Sequence, residues 1–203
     1  MVSFLSGDCR SHPDVRDCHA VDERVHDHLK GVCAGNFWQG DDWAQYVPVV
    51  TQWGLGLTGV PARHGFKERT ALTATAYASM GLMVNGMKYT ICRKRPDSYA
   101  YNSFPSGHTA TAFMGAELMR MEYGWAWGSG AYALALCVGF FRIYNGRHWL
   151  SDVLAGAGVG VLSAHIAYWL LPVERRLFHW NDQLSLNLFY DKNLLGAQMR
   201  LQW

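Results

Sequence analysis

The sequence predicts an all-α protein: a helical bundle of about five core helices, with its chemistry gathered at one end and a small C-terminal hairpin appended. Three observations predict this. From Asp41 onward the chain runs in long stretches rich in Ala, Leu, Met and Gly rather than in alternating patterns, which favours helices over strands. Breaks fall between the stretches at Val60-Pro61, between Pro96 and Pro105, and at Pro172, where proline interrupts or ends a helix. Charge is scarce, since 17% of residues are charged and 50% are hydrophobic, against roughly 25% charged in an ordinary soluble protein.

Residues 1–40 are polar, rich in His and Cys, and without a convincing period. They are expected to form a poorly ordered leader outside the helical core, which spans 41–172, with 173–203 as a C-terminal extension. Cys9, His12, Cys18, His19, His26, His28 and Cys33 fit no structural zinc spacing. The five cysteines are odd in number and unpaired in spacing, so no disulfide framework is expected. Cys92, beside Arg93 and Lys94, reads as structural. The first residues lack the basic start and apolar core of a signal peptide.

The first core helix is expected from Asp42, as N-cap, through Gly59. The second runs from Lys67 to about Lys94, the third from a Ser106 cap to about Tyr123, the fourth over about Ala126–Phe141, and the fifth from about His148 to Leu171, where Pro172 stops it. Within these, Ala71–Met87, Tyr123–Phe141 and Val153–Leu171 approach the roughly 20 apolar residues of a membrane span. Gly156, Gly158 and Gly160 would let helices pack closely. Beyond residue 183, Leu186, Leu188 and Tyr190 alternate before Asp191-Lys192-Asn193, and Ala197, Met199, Leu201 and Trp203 alternate after it. That pattern predicts a hairpin.

Chemistry concentrates on a few positions. Lys88 lies near the C-terminal end of the second helix, His108 at the start of the third, Arg142 at the end of the fourth and His148 at the start of the fifth. Antiparallel packing through short connections brings all four to one end. Two helix N-termini meet there, and their free N–H groups attract anions. Gly107 admits an anion close to the backbone, and the Ser106 hydroxyl can donate to it. Arg95 and Arg142 offer planar forks for phosphate oxygens, and Lys88 offers a point charge. His148 and Asp152 are four apart, so the carboxylate can fix the imidazole tautomer and leave Nε2 as a nucleophile. His108 can protonate a leaving oxygen and then activate water. A net charge of +2, not spread along a stripe, argues against nucleic acid as a partner.

Lys88-(six residues)-Arg95-Pro96, Pro105-Ser106-Gly107-His108 and Arg142-(five residues)-His148-(three residues)-Asp152 resemble the motifs of the type-2 phosphatidic acid phosphatase and vanadium haloperoxidase superfamily. The departure is Phe141, where the family usually has serine. The resemblance covers about residues 40–172. It implies a helical core, His148 as a nucleophile forming a phosphohistidine, Asp152 orienting it and His108 as general acid. Lys88, Arg95, Ser106, Gly107 and Arg142 would bind phosphate, with no metal or other cofactor. The expected activity is hydrolysis of a phospholipid or another lipid phosphate or diphosphate, in the membrane or cell envelope, with the site facing the periplasm. A soluble broad-specificity acid phosphatase and a vanadium-dependent haloperoxidase are the alternatives that the same residues allow. Asn145, Arg147 and Trp149 are candidates for the substrate entrance.

Overall fold

A computed structural model describes residues 16–32, 40–178, 185–191 and 194–200 of the chain. Seven helices occur among them: α1 (Arg16–Val32), α2 (Asp41–Ala44), α3 (Val47–Leu57), α4 (Phe66–Ile91), α5 (Gly107–Tyr123), α6 (Trp125–Tyr144) and α7 (Leu150–Leu177). Two strands, β1 (Ser185–Asp191) and β2 (Leu194–Arg200), pair antiparallel with Ser185 opposite Arg200. The expected hairpin is therefore present in the backbone. Its turn and Leu201 and Trp203 lie outside the described residues, as do Cys9, His12 and Cys33.

The centre of the bundle is α5. Its small and unbranched residues are buried on nearly every side, including Ala110, Ala112, Met114, Ala116, Leu118 and Met119, as befits a helix enclosed by others. One face packs with Leu72, Ala76 and Met80 of α4 and with Ala164, Ala167 and Leu171 of α7. The other packs with Ala131, Ala135 and Val138 of α6 and Leu55 of α3. Close approach of α7 depends on two of the glycines singled out in the sequence. A Cβ at Gly156 would stand 2.5 Å from the Ser106 carbonyl oxygen, and one at Gly160 would stand 2.3 Å from that of Ala110. Gly158 points to open space and takes no part.

Three expectations need correction. The first core helix is split at Gln45-Tyr46 into α2 and α3, and Gly40 rather than Asp42 occupies the N-cap of α2. Pro172 does not stop the last helix, which continues to Leu177. Proline removes one hydrogen bond from the ladder and crowds the carbonyl four residues back, but the turn beyond it is tied to α4 by Thr75 donating to Glu174 and by Arg175 donating to Glu68. The leader contains α1, which packs against α6 and α7. In addition, Cys92 is disulfide-bonded, whereas the cysteine spacing predicted no framework.

Among the described residues, α6 and α7 are long and apolar enough to cross a membrane. The candidate Tyr123–Phe141 is interrupted at Gly124, whose φ of 80° separates α5 from α6. The candidate Ala71–Met87 lies on α4, which is long enough but not among the helices that reach that apolarity. Large apolar side chains face outward on α6 and α7, among them Leu136, Phe140, Leu154 and Leu162.

Candidate active site

The four long helices alternate in direction, so the C-terminal ends of α4 and α6 meet the N-terminal ends of α5 and α7 at one end of the bundle. Lys88 lies in the last turn of α4, His108 in the first turn of α5 and Arg142 in the last turn of α6. His148 precedes the N-cap of α7, Trp149, and Asp152 lies in the first turn of that helix. The pair therefore spans a loop and a helix start rather than sharing one helical face. Main-chain geometry locks the arrangement, because the N–H of Ser106 donates to the Asp152 carbonyl at 3.0 Å. Gly146 makes the loop between α6 and α7 feasible. Its φ is 62°, in the left-handed region that favours glycine, and a Cβ there would collide with the Asp97 carboxylate.

Asp152 is completely buried and fully engaged. Its Oδ2 accepts from Ser103 Oγ and, at 2.9 Å, from the Trp149 N–H, while its Oδ1 accepts from Arg93 at 2.8 Å. His148, 2% exposed, places Nδ1 3.8 Å from Asp152 Oδ2. That is beyond hydrogen-bond length, and no other described group bonds this nitrogen. Burial pushes the His148 imidazole below its ordinary pKa, more strongly than the Asp152 carboxylate raises it. The ring is held neutral.

The cations crowd one another. Burial first, and Arg95 next, pulls Lys88 below the usual lysine range, and burial followed by Arg142 and Arg147 does the same to Arg95. Arg95 donates from Nε to Asn102 at 2.8 Å. Among the described residues Lys88, Arg95 and Arg147 enter no ion pair. Such a cluster of like charges is relieved by an incoming anion. Ser106 is the N-cap of α5, as expected, but its hydroxyl pairs with Thr109 Oγ1 at 2.9 Å instead of capping the backbone. Gly107 leaves the first turn unencumbered, since an added Cβ would meet only Val84, at 3.9 Å.

Sequence reasoning missed three acids around this site. Asp22 of α1 accepts from Arg93 at 2.6 Å, from the Ser151 N–H at 3.0 Å and from the Ser151 hydroxyl at 2.6 Å. Arg93 thus bridges Asp22 and Asp152. Asp41 Oδ2 stands 3.1 Å from Arg142 Nε, and Asp42 Oδ1 accepts from Arg142 Nη2 while lying 3.1 Å from His108 Nε2. His108 is held down to about 4, chiefly by burial and then by Arg142, with Asp42 opposing both. Of the residues considered for an entrance, Trp149 packs elsewhere: its Nε1 donates to the Lys94 carbonyl, and its ring meets His26 and Arg93. Phe141 packs against Phe140 and Tyr144.

Comparison with known proteins gives this end of the bundle its context. Over 155 residues the chain is 43% identical to the lipid A 1-phosphatase of Porphyromonas gingivalis, covering 74% of this chain and 35% of that protein. It is 43% identical over 88 residues to the bacitracin transport permease protein BcrC of Bacillus licheniformis, covering 42% of this chain and 40% of that one. The chain thus spans well under half the length of these relatives. Its fold resembles LpxE of Aquifex aeolicus, with a TM-score of 0.59 and 20% identity over 73% of this chain and 95% of that one. It also resembles a transmembrane PAP2-type phosphatidylglycerolphosphate phosphatase of Bacillus subtilis, with a TM-score of 0.57 and 18% identity over 83% and 91%. Residues 69–176, more than half of the chain and the whole of the α4–α7 bundle except its first turn and last residue, match the PAP2 superfamily, and the chain belongs to that superfamily.

Proposed function

We propose that this protein is a membrane-associated phosphatase that removes a terminal phosphate from a lipid, working through a phosphohistidine on His148. The observation that carries the reading is a neutral, buried histidine backed by a bonded carboxylate and faced by two cations without carboxylate partners, Lys88 and Arg95. In the first step His148 Nε2 forms a bond to phosphorus, the bond from phosphorus to the lipid oxygen breaks, and His108 gives its proton to that oxygen. In the second, water attacks phosphorus, His108 takes the water's proton, and the P–N bond breaks to release inorganic phosphate. Lys88, Arg95 and Arg142, with Ser106, Gly107 and the α5 N-terminus, carry the phosphate's charge throughout. Asp152 serves as orienting base to His148, and a movement of less than about 1 Å would bring Nδ1 into hydrogen-bond range, as catalytic contacts often tighten on substrate binding.

The outward apolar faces of α6 and α7 support a lipid setting. So do exposed aromatic residues at both ends of the bundle, Trp43, Tyr89 and Tyr99 at the active end and Trp125, Trp127 and Trp169 toward the other, because Trp and Tyr favour the two membrane interfaces. The disulfide at Cys92, beside the site, supports exposure of this end to an oxidising compartment such as the periplasm. Relatives named for lipid A make lipid A 1-phosphate the first substrate to try, followed by phosphatidate, phosphatidylglycerol phosphate and undecaprenyl diphosphate.

Rapid alkaline quench after mixing with labelled lipid phosphate should leave phosphate on His148. The substitution His148→Ala should remove the label and lower turnover on the order of 10⁴–10⁶-fold, as loss of a nucleophile does elsewhere. Full turnover with label on no residue would overturn the covalent mechanism.

A further inference from the structure

One contact at the active end is not explained by holding the fold together. Asp42 directs a single carboxylate oxygen at the two groups that the mechanism assigns to the substrate: Oδ1 accepts from Arg142 Nη2 and lies 3.1 Å from His108 Nε2. Those are the donor for a phosphate oxygen and the donor for the leaving oxygen. The neighbouring Asp41 has a different standing. It is buried, with its side chain 2% exposed, and its Oδ2 lies against Arg142 Nε, whereas the Asp42 side chain is 42% exposed. Arg142 therefore has a buried counter-charge beside one edge, while its other edge holds an acid open to solvent.

We propose that Asp42 is a further positioning residue of this site: its carboxylate stands in for the substrate's phosphate while the site is empty, and the phosphate evicts it. The proposal rests on the phosphatase reading above. In the empty site the stand-in keeps His108 Nε2 and Arg142 Nη2 aimed at one point and offsets part of the repulsion among Arg142, Arg147 and His108, the charged and titratable groups that face it. Eviction acts as a tax on affinity, since any phosphate must compete with a tethered anion. The same tax weakens retention of the product, inorganic phosphate, and so favours its release.

The test is equilibrium binding of inorganic phosphate to the full chain in detergent, with wild type, Asp42→Asn, Asp42→Ala and Asp42→Glu compared. Removing an acid from a partly exposed ion pair worth about 1 kcal/mol should tighten phosphate binding about fivefold in the Asn and Ala variants. The Glu variant, which keeps the charge, should bind as wild type does. A merely structural Asp42 would give the opposite result, weaker binding when it is removed. Phosphate binding that is equal or weaker in both the Asn and Ala variants overturns the proposal, as does a Glu variant as tight as the Asn variant. Absence of phosphate binding in all four proteins would instead overturn the phosphatase reading, and this one with it.

Discussion

The two ends of the bundle both collect ionisable side chains, and they use them in opposite ways. At the end away from His108 and His148, acids are closed on their own donors. Glu122 accepts from the His64 backbone N–H at 3.0 Å, meets His64 Nδ1 at 2.7 Å and accepts from the Tyr168 hydroxyl. Five residues earlier on α5, Glu117 accepts from Nε and Nη2 of Arg120 at 2.7 and 2.6 Å, and Tyr132 and His165 complete its shell. At the active end the acids are outnumbered, and Lys88, Arg95 and Arg147 face one another without described carboxylates. Burial of charge is common to both ends. What sets the active end apart is that cations without described carboxylates stand there beside two histidines and two helix N-termini, and it is that conjunction that points to a ligand.

Substitutions at each end should separate activity from stability if this contrast holds. The largest effect is expected from His108→Ala, a loss of about 10²–10⁴-fold in turnover, greatest for poor leaving groups, with no fall in melting temperature. A drop in melting temperature comparable to that of a core mutant would mean that His108 is structural. Next comes Glu122→Ala at the far end, which strands His64 and Tyr168 and should lower stability by about 3–5 kcal/mol while kcat of the folded protein stays within about twofold. Denaturant melts and detergent-phase assays distinguish the two cases.

The smallest expected effect is a shift in pH dependence. In the empty site burial and Arg142 favour loss of the His108 proton, with a pKa of about 4, so the acid form declines as pH rises through that value. A bound phosphate dianion neutralises Arg142 and favours the protonated ring. The alkaline limb of kcat should therefore lie at higher pH than the alkaline limb of kcat/KM, since the first reports the complex and the second the free enzyme. Coincident limbs would show that the cations at this end do not act on His108.

Much of this was legible in the chain. The breaks at Val60-Pro61 and between Pro96 and Pro105 sit close to where α3 and α4 end, and three motifs on alternating helices had to meet at one end. Asp42, by contrast, reads as a helix cap because Asp before an apolar run usually is one, and nothing local shows that its carboxylate turns to Arg142, 100 residues away. Arg93 belongs to none of the three motifs, yet it bridges Asp22 and Asp152. The helix α1 escaped for a related reason. Its inward positions are Asp22, Val25, His26 and Leu29, a proper helical stripe, but two of its four members are polar because the surface beneath them is the site rather than the core. A search for apolar periodicity overlooks helices that pack on chemistry.

The hydrogen bond from the Ser106 N–H to the Asp152 carbonyl joins the helix that carries one histidine to the helix start that supports the other. It works as a gauge block. The span between His108 and His148 is set by main chain against main chain, with Gly156 and Gly160 allowing the two backbones to approach. On the phosphatase reading, the part of the chain that fixes the reacting groups is thus distinct from the rim that would meet the rest of the substrate.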